Sequence, residues 1–440
     1  MQHLLEWKNS PYRKPLLMKG IRQVGKTWLL KEFGEKNYQN CVYCNFDENP
    51  DFKELFQRTK DPKRLLDILG IISGQSLKPK DTLLIFDEIQ ECPEALGSLK
   101  YFCEEAKEYH LACAGSLLGV YLGSAAFPVG KVDFLNIWPM TFEEFLLADD
   151  QKSLCAYLQT IEEIAPLPAS LEHLLAEKLK IYFLTGGLPE AILRWVEQRS
   201  IDQVQKVLDN IIATYVHDFI KHPKLKEFPK INLVWNSLPA QLARENKKFL
   251  YRLVKTGARA REYEDALEWL VNANLVHKVY RASKPNLPLA AYDDLEAFKI
   301  YTADVGLLGR LAGLRPKTIL EGQSLFTEFK GALTENFVLE ALLPQLDAKP
   351  RYWSRLNPPY EVDFLIQMEN EIFPIEVKAD KNIKSRSLKK IQEEFADAIK
   401  LKVRISMENL KLDDTLLNIP LYLADESLRL INLALEKISS

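Results

Sequence analysis

Six cysteines in 440 residues are too few to hold a chain of this length together by disulfides, which excludes a cystine-framework fold. Two of them, in Cys41-Val42-Tyr43-Cys44, have C-x-x-C spacing, but no second pair exists to complete a zinc site. The run is strand-like, so residues three apart face opposite ways, and buried free thiols are expected. Also missing are an N-terminal apolar h-region and any uninterrupted apolar run near ~18 residues. The expectation is a cytoplasmic protein with no membrane partner. Acids are scarce in one place only. Between Lys221 and Arg261 eleven Lys or Arg residues face two acids, Glu227 and Glu245, an excess of nine in a chain whose net charge is −3. The rest of the chain therefore sums to −12. A basic block on a mildly acidic protein points to an anionic partner for residues 221–261, with DNA the first candidate.

With 47% apolar and 27% charged residues, the chain has ample material for several cores. Its length suggests roughly two to four domains. The most informative stretch is Gly20-Ile21-Arg22-Gln23-Val24-Gly25-Lys26-Thr27, the pattern G-x-x-x-x-G-K-[ST]. An apolar run, Pro15–Met18, precedes it as a strand, and Trp28–Phe33 continues at helical spacing. The glycines let backbone N–H groups turn inward on phosphates, and the helix N-terminus adds partial positive charge. Gly20, Gln23, Val24, Gly25, Lys26, Thr27 and Trp28 thus line a candidate ATP site. Lys26 would reach the β- and γ-phosphates, and the Thr27 hydroxyl would ligate Mg2+.

About sixty residues on, Asp81-Thr82-Leu83-Leu84-Ile85-Phe86-Asp87-Glu88 reads as a strand buried on both faces and ending in acids. Asp87 at the carboxyl end is placed to hold the magnesium, and Glu88 to act as general base on the attacking water. Leu111–Ala114 is the next buried strand. It leads to Ser116, a small polar residue placed to sense the γ-phosphate or simply to turn the chain.

These stretches resemble P-loop ATPases of the AAA+ superfamily, in the branch with a C-terminal domain of unknown function. The resemblance is carried by residues 20–27 and 83–88, by Ala114-Gly115-Ser116, by Trp138-Pro139-Met140-Thr141-Phe142-Glu143-Glu144-Phe145-Leu146, and by Leu184-Thr185-Gly186-Gly187-Leu188-Pro189-Glu190. It implies an α/β fold: a P-loop NTPase parallel sheet (residues 1–150), a helical lid (151–220), a winged helix (221–325) and a restriction-endonuclease-like α/β domain (326–440). It also implies that Gly186–Pro189 lies near the nucleotide, where an interhelical turn is the plainer alternative. One departure is Gly130-Lys131, where such proteins usually have Gly-Arg; if that arginine contacts phosphate, a lysine keeps the charge but not the bidentate geometry.

Residues 151–220 carry helical patterns. Asn232–Ala243, Phe249–Val254 and Arg261–Val271 read as three helices, followed by strand-like Leu275–Tyr280, a tip near Pro285 and an apolar stretch, Phe298–Thr302. That is the order of a winged helix, with Lys255, Arg259 and Arg261 as phosphate or groove contacts. The same fold also serves as a protein-docking module. After a linker around 313–325, the helix Phe329–Leu343 carries Glu335. Tyr360–Ile366 and Ile372–Lys378 then form a hairpin in which Asp363 lies opposite Glu376, with Lys378 on the same face. This set resembles the PD-(D/E)XK nuclease core, with Val362 replacing its proline. The resemblance implies that Glu335, Asp363 and Glu376 bind Mg2+ and that Lys378 orients water. A structural salt bridge is the alternative. Three readings stay open: an ATP-hydrolysing switch, an ATP-gated DNA endonuclease, and a regulatory DNA- or protein-binding module, alone or as an oligomer, that uses ATP only for conformation.

Overall fold

A computed structural model describes residues 1–116, 119, 127–221, 228–244, 248–321, 327–355, 357–379 and 385–439. Lys224, Lys226, Glu227, Glu245 and Lys247 of the basic block lie outside the described residues. The chain divides into two compact units, one of Met1–Trp138 with Asn272–Asn274, the other of Pro139–Val271 and Leu275–Ser440.

The first unit is built on a five-stranded sheet of β1 (Leu16–Lys19), β2 (Asn40–Asn45), β3 (Thr82–Asp87), β4 (His110–Ala114) and β5 (Asp133–Asn136), in the order β2-β3-β4-β1-β5. Every pairing is parallel. Leu83, Ile85, Ala112 and Ala114 feed one core, and Leu84, Phe86, Leu111 and Cys113 feed another. With both faces covered, each strand has to be apolar throughout, which is why β3 and β4 read as unbroken runs. Phe46, Phe56 and Phe86 pack edge to face at 5.2–5.7 Å. Each such burial is worth about 1.5–3 kcal/mol, so the strand end bearing Asp87 is firmly held. Cys41 and Cys44 join opposite cores, and all six thiols are free. Burial pushes Cys41 up to about 11 and Cys44 up to about 12, as befits inert packing groups. Before β1, a helix, Gln2–Asn9, buries Leu4 and Trp7.

The second unit begins with Phe142–Ala148, started by a capping box between Thr141 and Glu144. Helices Lys152–Gln159, Ala169–Thr185, Pro189–Gln198 and Ile201–Lys221 follow. Next come Phe228–Leu242, Tyr251–Val254 and Ala260–Asn272, then the antiparallel strands β6 (Val276–Ala282) and β7 (Asp293–Thr302). Where a linker was expected, Pro316–Glu321 is helical, its proline set at the first helical position. The sheet then continues through β8 (Arg351–Arg355), β9 (Tyr360–Met368), β10 (Glu371–Val377), β11 (Lys402–Ser406), β12 (Lys411–Asp413) and β13 (Leu416–Pro420). All eight strands share one sheet, ordered β12-β13-β11-β10-β9-β8-β6-β7. The hairpin β6–β7 therefore continues the C-terminal sheet. Arg281 registers with Tyr352, and the Arg351 guanidinium forks onto both oxygens of Asp293 at 2.8 and 2.9 Å. No helix among the described residues is long and apolar enough to cross a membrane.

Candidate functional site

The turn after β1 opens the helix Lys26–Asn37, with Gly25 as its N-cap at φ +91°. That left-handed conformation would strain a side chain, so the position needs glycine. Gln23 and Trp28 face solvent, whereas Val24 is buried beneath the loop. Lys26 is 7% exposed and donates from Nζ to Gly20 O at 2.9 Å and Ile21 O at 2.8 Å. Its ammonium is thus laid along the inside of the loop that the phosphates would enter. Burial lowers it to about 8, with Glu88 and Asp87 drawing it back up, so it stays mostly protonated at neutral pH.

The acids of β3 meet this loop from across the sheet. Thr27 Oγ1 donates to Asp87 Oδ2 at 2.8 Å, and Tyr43 Oη donates to the same oxygen at 2.7 Å. A hydroxyl and a carboxylate, both hard oxygen donors in direct contact, fit Mg2+, which takes few protein ligands and keeps its waters. Tyr43 has no motif to announce it. Only its place on β2, registered with Ile85 two residues before Asp87, could have pointed to it. Burial and the Asp87 hydrogen bond raise its phenol far above the usual range, so it acts as a donor.

Glu88 follows in the left-handed region, at φ +48°. That turn takes its side chain out of the strand's alternation. Glu88 Oε2 accepts from Gln90 Nε2 and, at 3.4 Å, from Ser116 Oγ. Ser116 gets there because β4 lies between β1 and β3, so its end opens between the loop and the acids. Lys131 pairs with Glu104 at 2.8 Å.

Gly186 and Gly187 form a packed junction within the second unit. Gly187 N–H donates to Asp304 Oδ2 at 2.6 Å, and Met140 N–H donates to Gly187 O at 2.7 Å. Burial pushes Asp304 up to about 6, while the amides of Gly187, Leu307 and Gly306 hold it down.

In the C-terminal sheet, Phe364 registers with Ile375 and Leu365 with Pro374. Asp363 and Glu376, the next residue on each strand, lie just beyond the last registered pair, where a symmetric hairpin would oppose them. Asp363 Oδ2 accepts the Val377 N–H at 2.8 Å, and Lys378 Nζ lies 3.0 Å from Glu376 Oε1. Burial would lower Lys378, but Glu376, Asp363 and Glu335 outweigh it and hold it up. Glu335 Oε2 accepts from Tyr301 Oη at 3.3 Å. Among the described residues, no three or more His, Cys, Asp or Glu side chains are grouped to hold a metal. Glu335, Asp363 and Glu376 form no such group. Lys299, Glu361 and Tyr301 are members that sequence reasoning missed. The available signal was a lysine inside the apolar strand Ala297–Thr302, which needs a buried partner.

Of the basic block, Lys230, Lys248, Arg252, Lys255, Arg259 and Arg261 are exposed, most of them around the short helix Tyr251–Val254. The helix Ala260–Asn272 itself turns Glu262, Glu264 and Asp265 to solvent. Basic charge is thus concentrated before that helix and at its first turn.

Three family profiles match in series: an AAA domain over residues 12–146, a domain of unknown function (DUF8612) over 176–318, and a domain of unknown function (DUF4143) over 330–423. Uncharacterized proteins of Mycobacterium bovis and Mycobacterium tuberculosis are each 25% identical over 384 residues, covering 84% of this chain and 72% of theirs. Among solved structures, the Walker-type ATPase PABY2304 of Pyrococcus abyssi is similar at a TM-score of 0.44 and 15% identity, covering 70% of this chain and 93% of that one. The AAA match spans the phosphate loop, Asp87, Glu88 and Ser116, and with the parallel five-stranded sheet it supports an AAA-type P-loop ATPase.

Proposed function

We propose that the protein hydrolyses ATP with Mg2+ at the loop of residues 20–27 and uses the cycle as a conformational switch for its second unit. The observation that carries this reading is the 2.8 Å hydrogen bond from Thr27 to Asp87, with Lys26 laid inside the loop and Glu88 one residue on. The loop's backbone N–H groups bind the phosphates and the helix N-terminus favours their charge. Mg2+, held by Thr27 and Asp87, would neutralise charge on the transferred phosphoryl. Lys26 leaves the two loop carbonyls for the phosphate oxygens. Glu88 takes the proton of the attacking water, and Ser116 keeps its carboxylate oriented. Lys26→Ala tests this directly. Loss of one preorganised cation is expected to lower Mg2+-dependent phosphate release by about 10²–10³-fold. Wild-type turnover in that variant would sink the proposal.

A second reading, supported by the exposed cations around Tyr251–Val254, is that the switched surface binds DNA through its backbone. The acids of Ala260–Asn272 disfavour deep insertion of that helix between phosphates, so Lys255, Arg259 and Arg261 at its approach carry the contact. Affinity for labelled duplex should fall steeply with salt. Replacing Arg259 and Arg261 together by Ala should flatten the log–log slope by roughly two. A salt-independent affinity would remove DNA from the reading and leave a protein partner.

A further inference from the structure

The buried lysine of β7 lies among the acids of the C-terminal sheet. Lys299 is 0% exposed, and its Nζ lies 2.5 Å from Glu361 Oε1 and 3.8 Å from Asp363 Oδ1, over the ring of Tyr352 at 5.0 Å. The ammonium makes no well-directed hydrogen bond, so the contact with Glu361 is an ion pair. Two strands, β6 and β8, separate β7 from β9 in the sheet order, yet the rings of Tyr301 on β7 and Phe364 on β9 lie 5.7 Å apart, so the sheet curls and brings Lys299 against the acids of β9. The backbone that carries it is fixed on both sides, against Val279 of β6 and Lys248 beyond the other edge, where Phe249 N–H donates to Phe298 O at 2.8 Å.

We propose that Lys299 is the resident counter-cation of this constellation, a positioning residue that holds Glu361 and Asp363 and fills the electrostatic place of a divalent ion. Two observations carry it. Both oxygens of Asp363 already face a positive group or donor, Oδ2 the Val377 amide at 2.8 Å and Oδ1 the Lys299 ammonium at 3.8 Å. Glu376 gives Oε1 to Lys378 and keeps only the buried Oε2 without a partner. The one oxygen of this pair without a partner is buried, cut off from the waters that would complete a hard dication's shell. Asp363 and Glu376 thus each have their own ammonium, and a buried charge paired in this way is costly to unpair. The same contact ties β7, next to the exposed basic surface at Lys248, to the strand that bears Asp363.

The test is Mn2+ binding to the full, nucleotide-free chain, followed by loss of the free-ion EPR signal. It is run in an Asp87→Ala background so that the nucleotide site contributes nothing and the ATPase reading stands or falls separately. With Lys299 present, no Mn2+ binding that depends on Asp363 is expected. Lys299→Met should bind Mn2+ at least tenfold more tightly, and adding Asp363→Asn should abolish the gain. A folded Lys299→Met with no gain overturns the proposal. So does an ion bound in the presence of Lys299 and lost on Asp363→Asn. If Lys299→Met does not fold, that second comparison decides alone.

Discussion

Glu88→Gln is expected to keep Mg2+ and ATP bound while phosphate release falls by about 10²–10⁴-fold, the range for loss of a general base. The amide has the carboxylate's shape and keeps an acceptor oxygen for Ser116 Oγ and Gln90 Nε2. What it loses is the capacity to take a proton. The backbone makes the position informative. Glu88 sits at φ +48°, ψ +43°, a conformation costing a non-glycine residue about 1–3 kcal/mol, and the neighbouring Asp87 Oδ1 accepts its N–H at 3.0 Å. That strain serves to aim one side chain away from the strand. Equilibrium binding of a fluorescent ATP analogue beside single-turnover phosphate release separates the two functions. Turnover at the wild-type rate would place the base elsewhere, and loss of binding would make Glu88 a structural residue.

How much of this was legible in the sequence depends on distance along the chain. The phosphate loop and the acidic strand announce themselves because their chemistry is local: a glycine at a fixed turn, a lysine beside it, an apolar run ending in Asp-Glu. The register of the hairpin that carries Asp363 and Glu376 was legible for the same reason, since a hairpin with a short polar turn fixes its own register. Tyr43 was not. Its partner Asp87 lies 44 residues away and is reached only through the β2–β3 pairing. Nor was the continuation of β6–β7 into the C-terminal sheet. It depends on one registered pair, Arg281 with Tyr352, and on the Arg351–Asp293 fork, neither of which has a sequence period. Reading residues 221–325 in isolation, as a hairpin with helices, therefore left Lys299 without a partner. The charge count over residues 221–261 stopped just short of Glu262, Glu264 and Asp265, and so hid the acidic face of the helix that follows.

Gly187→Ala should markedly destabilise the second unit. A Cβ there would lie 2.1 Å from Met140 O, 2.8 Å from Met140 N and 2.9 Å from Pro139 Cβ. The first two are backbone atoms and cannot rotate away. They are also pinned, because Met140 N–H donates to Gly187 O at 2.7 Å and Tyr182 Oη donates to Met140 O at 2.7 Å. On the other side, Gly187 N–H is one of the donors that satisfy Asp304, whose Oδ1 also caps the helix Val305–Leu311 through Leu307 N–H at 2.8 Å. Moving the glycine to relieve the clash strips a donor from a fully buried carboxylate. Overpacking costs about 1–3 kcal/mol, and leaving a buried acceptor short of its partner costs about 1–3 kcal/mol more. A loss of roughly 3–5 kcal/mol should appear as a large fall in the urea midpoint followed by tryptophan fluorescence. Gly331→Ala is the control. It lies in the helix Thr327–Leu342, and a Cβ added there would meet nothing within 4 Å, so the same methyl should be neutral or stabilise by up to about 1 kcal/mol. If both variants melt together, the Met140–Gly187–Asp304 junction is not what holds the motif Leu184–Glu190 in place.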